Sequence, residues 1–236
     1  MKDLGIKIYS DGADVNEIIK MDNENSVDGF TTNPTLMSRL GITDYLGFAK
    51  EVLNSVKEKS ISFEVFSDDI DDMYRQALIL RDLGDNVWVK IPVTNTKGTF
   101  TYDLINKLSF EGVKINATAL FTVDHIQNVC DALNPDVNAI VSIFAGRIAN
   151  TGLDPEPTMK FGSDLCHNNP LIETLWASSR EVFNIMQAVR TNTDIITLPP
   201  SLIKACQKEV GKDLDEFSLE TVKMFYNDAK KSGFSL

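Results

Sequence analysis

Short runs rich in isoleucine, valine and phenylalanine recur along the chain, bounded by glycine, proline, asparagine or aspartate. Longer stretches with apolar residues three and four apart separate them. An apolar run buried on both faces, followed by an amphipathic stretch, is the pattern of a strand–helix unit around a parallel sheet. Eight runs recur: Ile6–Ser10, Gly29–Thr32, Ile61–Phe66, Val87–Ile91, Val113–Thr118, Ala139–Phe144, Ile172–Ala177 and Asp194–Leu198. Helices are expected over Tyr45–Lys57, Ile70–Leu83, Tyr102–Phe110, Val123–Leu133, Glu181–Val189 and Ser201–Glu209. The count predicts an α/β protein, a single (β/α)8 TIM barrel over residues 1–236. Asn150–Pro170, with Gly152, Pro155, Pro157 and Gly162, breaks the rhythm and predicts a long loop with a short helix around Thr158–Cys166. Val222, Phe225 and Tyr226 have helical spacing within Ser218–Lys230, which predicts an additional C-terminal helix packed outside the barrel. It belongs to an extension over residues 213–236.

Length and composition sharpen this picture. A chain of 236 residues with 43% apolar side chains can close one barrel around one core. The opening MKDLGIKIYS lacks the apolar stretch of roughly 7–15 residues that a secretory signal needs. No apolar run approaches the roughly 18 residues that would span a bilayer, so a cytoplasmic protein without a membrane partner is expected. Cys130, Cys166 and Cys206, odd in number and widely spaced, suit neither a disulfide framework nor a zinc site and read as reduced packing residues. A net charge of −11 spread along the chain favours solubility and argues against nucleic-acid binding. An acidic protein that handles an anion must supply a local positive site, and Arg147 and Arg180, each just after an apolar run, qualify.

Active sites of such barrels lie at the carboxyl ends of the strands, where this sequence places a polar residue after almost every run. Lys90, inside Val87-Trp88-Val89-Lys90-Ile91-Pro92, is the central one. Burial disfavours an ammonium, and a neutral amine can attack a carbonyl to form an imine, an electron sink for carbon–carbon cleavage. The alternative is a lysine paired structurally with Glu64 or Asp11. Glu64 is itself either that partner or a general acid and base, and Asp11 is either a second proton-transfer group or a turn or cap residue. Arg147 and Arg180 follow the sixth and seventh runs, where guanidinium groups and a helix start at Arg180 can grip a phosphate. A lone arginine after a strand is more often a surface ion pair, so it is the two together that point to an anion. His125 and His167 have no second ligand at metal spacing, and Asp68-Asp69-Ile70-Asp71-Asp72 reads as a helix start, so no metal is expected. Neither a GxGxxG motif nor a P-loop occurs, and no cofactor is expected.

Six ordered segments together carry a family resemblance. They are Asp28-Gly29-Phe30-Thr31-Thr32-Asn33-Pro34-Thr35, Phe63-Glu64-Val65, Val89-Lys90-Ile91-Pro92-Val93-Thr94, Asn116-Ala117-Thr118-Ala119-Leu120-Phe121, Ser142-Ile143-Phe144-Ala145-Gly146-Arg147-Ile148 and Ala177-Ser178-Ser179-Arg180. The chain resembles the transaldolase family, particularly its short, single-domain members. The resemblance implies that Lys90 is a Schiff-base lysine, Glu64 a general acid/base acting through a water held in part by Thr118, and Asp11 the group that handles a substrate hydroxyl. It further implies that Thr32, Asn33, Asn116, Ser142 and Phe144 bind substrate around the imine, and that Arg147, Ser178 and Arg180 hold the phosphate. Family members usually carry proline at Ile143, aspartate at Asn150 and often phenylalanine at Ser179, so this chain departs there.

The implied reaction moves a dihydroxyacetone unit from a ketose phosphate (sedoheptulose 7-phosphate or fructose 6-phosphate) to an aldose phosphate (glyceraldehyde 3-phosphate or erythrose 4-phosphate). The implied setting is the pentose phosphate pathway. Fructose-6-phosphate aldolase resembles this family closely but typically has glutamine at Glu64 and tyrosine at Phe144, so both positions here are of the transaldolase type. The third reading is a non-catalytic sugar-phosphate-binding barrel in which Lys90 is merely paired. By resemblance, the chain also forms a homo-oligomer, a pentamer or decamer.

Overall fold

The computed structural model describes residues 4–235, and residues 1–3 and 236 of the expected unit lie outside the described residues. Eight parallel strands close in chain order: β1 (Lys7–Asp11), β2 (Gly29–Thr31), β3 (Ser60–Glu64), β4 (Val87–Pro92), β5 (Ile115–Leu120), β6 (Ala139–Ile143), β7 (Ile172–Trp176) and β8 (Ile195–Leu198), with β8 paired to β1. Around them run α1 (Val15–Asn23), α2 (Pro34–Arg39), α3 (Tyr45–Ser55), α4 (Ile70–Arg81), α5 (Tyr102–Phe110) and α6 (Val123–Ala132). The outer layer continues with α7 (Ala145–Ala149), α8 (Glu156–Cys166), α9 (Asn184–Arg190) and α10 (Pro200–Glu209), and α11 (Leu214–Ser232) follows the barrel. The eight-stranded barrel with an added C-terminal helix is therefore as the hydrophobic pattern predicts.

Alternation along each strand divides the core in two. Ile61 and Phe63 of β3, Val89 and Ile91 of β4, and Val141 and Ile143 of β6 are buried in one cluster with the helices. Tyr9, Trp88, Ile140, Leu175 and Ile195 form a separate cluster inside the barrel. The next inward residue toward the carboxyl end is Asp11 after Tyr9, Lys90 after Trp88 and Ser142 after Ile140. The apolar plug thus ends where a polar mouth begins.

Several bounds differ from expectation. Asp11 is the last residue of β1 instead of following it, and Phe144 lies outside β6 as the N-cap residue of α7. The helices α2 and α7, six and five residues long, are too brief for an apolar period to be read, and α1, nine residues long, was not expected. Asp14 caps α1 by accepting from Glu17 N at 3.0 Å, and Asn33 caps α2 with Pro34 at its first position. The irregular segment holds α8 over eleven residues, with Pro157 tolerated in its first turn. Asp69 caps α4 by accepting from Asp72 N, so the acidic cluster is a helix start. Cys130 and Cys166 are free thiols whose sulfurs meet at 3.6 Å between α6 and α8, a proximity their separation in sequence conceals.

The expectation that the C-terminal helix packs on the barrel is corrected: no residue of α11 is buried, and Leu214, Val222, Phe225 and Tyr226 are all exposed. Among the described residues no helix is long and apolar enough to cross a membrane.

Gly29 tests the inner plug. A Cβ there would stand 2.6 Å from Tyr9 Cζ and 2.8 Å from Ser60 Oγ, and Ser60 donates to Tyr9 Oη at 2.6 Å. Gly29→Ala is expected to destabilise the fold by about 1–3 kcal/mol, read as a fall in urea midpoint at unchanged slope. An unchanged midpoint would show that Tyr9 can move aside freely.

Candidate active site

Lys90 is 6% exposed, and its Nζ donates to Thr32 O at 2.9 Å while lying 3.3 Å from Glu64 Oε2. Glu64 and Lys90 are register partners on β3 and β4, so adjacent strands present both side chains at one height of the barrel. The arrangement is a buried ion pair with an added backbone acceptor, which offsets the desolvation of the ammonium. The amine has a carboxylate close enough to take its proton.

Asp11 sits on β1 and accepts from Thr31 Oγ1 at 2.8 Å, and Thr31 Oγ1 also meets Thr197 Oγ1 at 2.7 Å. Since Asp14 caps α1, Asp11 has no capping role to explain it. Burial pushes its carboxyl above the usual aspartate range, against the opposing pulls of the Lys90 charge and the Thr31 hydroxyl.

Beside Lys90 a buried chain of hydrogen bonds links β6, β5 and β3. Ser142 Oγ donates to Asn116 Oδ1 at 2.7 Å, and Asn116 Nδ2 donates to Ser62 Oγ at 3.0 Å. Lys90 and Asn116 are register partners, which puts this chain beside the amine. Thr118, one inward step higher, is 2% exposed and its Oγ1 has no hydrogen-bond partner among the described residues. A buried hydroxyl without a partner is costly, so this atom is open to a molecule entering the mouth. The ladder to β6 shifts register between Ala117 and Leu120, and Ala119 adopts φ 61°. Such bulges re-aim side chains beside active sites.

Two expected wall residues are arranged differently from a simple lining. Thr32 offers its carbonyl to Lys90, while its hydroxyl donates to Ser62 O at 3.1 Å. Asn33 uses Oδ1 to accept from Leu36 N at 3.0 Å, which leaves its amide nitrogen for a ligand.

Arg147 in α7 and Arg180 after β7 are exposed, and among the described residues neither joins an ion pair. In a chain of net charge −11, these two guanidinium groups on adjacent turns have the chemistry to take an anion. Gly146 sets their spacing: a Cβ there would stand 1.7 Å from Ser178 O and 3.4 Å from Arg180 Cγ. Ser178 itself takes a left-handed φ of 66°, placing the second turn against the first. The Phe144 ring lies beneath the Arg147 guanidinium at 5.7 Å. The helix start expected at Arg180 is corrected. The helix α9 begins at Asn184, whose Oδ1 accepts from both Arg180 N and Glu181 N, so those amides are occupied. Of the three departures, Ile143 directs its Cδ1 onto Gly162 of α8, where a Cβ would approach to 2.5 Å, and Ser179 donates to Thr197 O at 3.0 Å. Asn150 is exposed at the end of α7.

The histidines serve elsewhere: His167 Nε2 lies 3.0 Å from the Asp194 carboxylate, and His125 Nδ1 accepts from Phe121 N at 3.3 Å. A surface hollow of about 640 Å³ lined by Arg81, Asp85 and Lys114 lies at the opposite end of β4. Its cations are engaged, Arg81 with Asp82 and Lys114 with Asp85 O. Residues that reading the sequence missed are Thr31, Ser62, Thr197 and Tyr45. The threonines and serine read as ordinary strand residues, and Tyr45 as the first residue of a helix.

Residues 8–236 match the model of the transaldolase/fructose-6-phosphate aldolase family. A probable transaldolase of Bartonella henselae is 30% identical, covering 97% of this chain and 98% of its own. A probable transaldolase of Novosphingobium aromaticivorans is 32% identical over 88% of this chain and 92% of its own. Among solved structures, KGPDC from Streptococcus mutans superposes with a TM-score of 0.54 at 11% identity, covering 87% of this chain and 97% of that one. This last likeness bears on the barrel alone.

The Asp11 environment has a consequence for stability. A carboxyl raised in the folded state binds its proton more tightly than in the unfolded chain. Its stabilising effect is therefore complete below the unfolded value, 3.8, and is lost as pH rises through the folded value. Asp11→Asn, neutral at every pH, is expected to raise Tm above that window by roughly 2–4 °C per kcal/mol recovered, and to bring no gain well below the unfolded value of 3.8. Melting curves of both proteins across pH check this; a lower Tm for the variant at neutral pH would refute the burial argument.

Proposed function

Because the chain belongs to the transaldolase/fructose-6-phosphate aldolase family, we propose that it is a transaldolase that carries a dihydroxyacetone unit on Lys90 from a ketose phosphate to an aldose phosphate. The observation that carries this reading is the Lys90 amine, enclosed at the barrel mouth between a carboxylate and a carbonyl. Donors are sedoheptulose 7-phosphate or fructose 6-phosphate, and acceptors are glyceraldehyde 3-phosphate or erythrose 4-phosphate, as in the pentose phosphate pathway.

In this reading Glu64 takes the Lys90 proton, and the neutral amine attacks the ketose carbonyl to give a carbinolamine. Returning that proton through a water held by Thr118 expels hydroxide as water and leaves the iminium. Asp11 then removes the proton of the hydroxyl on the carbon at the far end of the bond to be broken, which becomes the aldehyde. That bond's electron pair flows into the iminium, giving an enamine and releasing the shortened aldose. The acceptor aldose reverses these steps, and water hydrolyses the product imine. Asn33, Asn116 and Ser142 hold the hydroxyls of the three-carbon unit, with Thr32 and Phe144 beside them, while Arg147, Ser178 and Arg180 hold the phosphate. The raised Asp11 carboxyl suits a group that must both take and return a proton. Glu64 and Phe144 favour transfer over free aldol cleavage.

The test is borohydride reduction in the presence of fructose 6-phosphate, followed by peptide mapping. An adduct on Lys90 is expected, and Lys90→Met should lower kcat by roughly 10³-fold or more. Turnover of fructose 6-phosphate should depend on erythrose 4-phosphate. Equal turnover without it would favour an aldolase, and no adduct on Lys90 would favour a non-catalytic binding barrel.

The reading extends to a cytoplasmic homo-oligomer, pentameric or decameric, with no nucleic-acid partner. The exposed face of α11 formed by Leu214, Val222, Phe225 and Tyr226 supports it, since such a face needs cover. Light scattering on the purified chain should give a pentamer or decamer mass, and Val222→Asp with Phe225→Asp should reduce it. A monomeric mass for the unaltered chain would refute the assembly.

A further inference from the structure

The strand carrying Glu64 lacks a backbone neighbour on one side. The pairing of β2 with β3 ends at Thr31↔Ser62, with Thr32 N donating to Ser62 O at 3.1 Å as the last ladder bond. One step further, the parallel pattern would send Glu64 N to Thr32 O and residue 34 N to Glu64 O. Neither bond is made, and Glu64 N donates to a side chain instead. Residue 34 is proline and has no N–H, and the Thr32 carbonyl accepts from Lys90 Nζ instead.

Tyr45, the first residue of α3, stands in that gap. Its hydroxyl accepts from Glu64 N at 2.8 Å and donates to Glu64 O at 2.8 Å, replacing both missing partners with one atom. The ring is wedged against Phe63 and Phe66, at centroid distances of 6.4 and 5.1 Å, on either side of Glu64. Burial pushes its phenol well above the usual range, so the hydroxyl keeps the proton it donates. Asp44 N-caps α3 by accepting from Gly47 N at 2.9 Å, which fixes where the tyrosine emerges.

From this we infer that Tyr45 is a positioning residue for Glu64. By bonding both backbone groups of Glu64 where the β2 ladder stops, it sets the height at which the Glu64 carboxylate meets the Lys90 amine. The inference rests on the reading of Glu64 as the proton carrier for Lys90. Tyr45→Phe keeps the ring and removes only the hydroxyl. It is expected to lower kcat by about tenfold or more and leave KM within about threefold, because substrate groups are untouched while the proton carrier shifts.

A merely structural role would act alike in any background, so the deciding measurement is coupling. On a Glu64→Gln background, Tyr45→Phe should change the residual kcat by less than about threefold. Equal losses in both backgrounds, or an unchanged kcat in the single variant, would overturn the inference. Native-state hydrogen exchange reads the same bond without any substitution. The Glu64 amide should be protected like its strand neighbour Phe63, and exchange at the rate of an open loop would overturn the inference. Borohydride trapping of the unaltered protein separates the two failures. A missing Lys90 adduct overturns both readings, whereas a present adduct with uncoupled kcat values overturns only the role of Tyr45.

Discussion

An ammonium inside a barrel of apolar strands must find partners within the protein, because water reaches it only slightly. Lys90 meets that constraint with the Glu64 carboxylate and the Thr32 carbonyl. Beside it β2 ends at Thr31, Pro34 has no N–H to continue the ladder and opens a helix, and Tyr45 serves the backbone of Glu64. The same interaction that makes the lysine tolerable leaves it one proton transfer from being a nucleophile.

The barrel separates stability from chemistry along its axis. Tyr9, Trp88, Ile140, Leu175 and Ile195 plug the interior below the mouth, giving the polar layer a rigid floor. Above it, hydrogen bonds join Ser142 to Asn116 to Ser62 and Asp11 to Thr31 to Thr197. Only Thr118 among these hydroxyls is left without a partner among the described residues. At the rim the turns after β6 and β7 touch through Gly146 and Ser178, holding Arg147 and Arg180 on neighbouring turns. In a chain of net charge −11 that pair gathers positive charge at one edge of the mouth.

Much of this was legible in the residues. A lysine in an otherwise apolar run, a carboxylate late in the preceding run, and arginines after the sixth and seventh runs mark one end of the barrel because alternation and strand direction follow from local pattern. The helices α2 and α7 were not, since a single turn or two leaves too little period to read, and α1 was not read although it is as long as α5. Nor was the start of α9, where the side chain of Asn184 occupies the amides that a longer helix would have left free. The docking expected of α11 failed because apolar spacing reveals that a face seeks cover without saying whose surface supplies it.

By itself the sequence determined the eight-fold alternation, the polar residues at the strand ends and the family to which its ordered motifs belong, all of them properties of short segments. Only the tertiary structure decided that Thr32 acts through its carbonyl, that Tyr45 completes a strand it does not belong to, that Asp11 is raised by enclosure and that two distant cysteines meet. Each depends on atoms far apart in the chain being brought within a hydrogen-bond length or a shared desolvated volume, and pairwise geometry of that kind leaves no periodic trace in the order of residues.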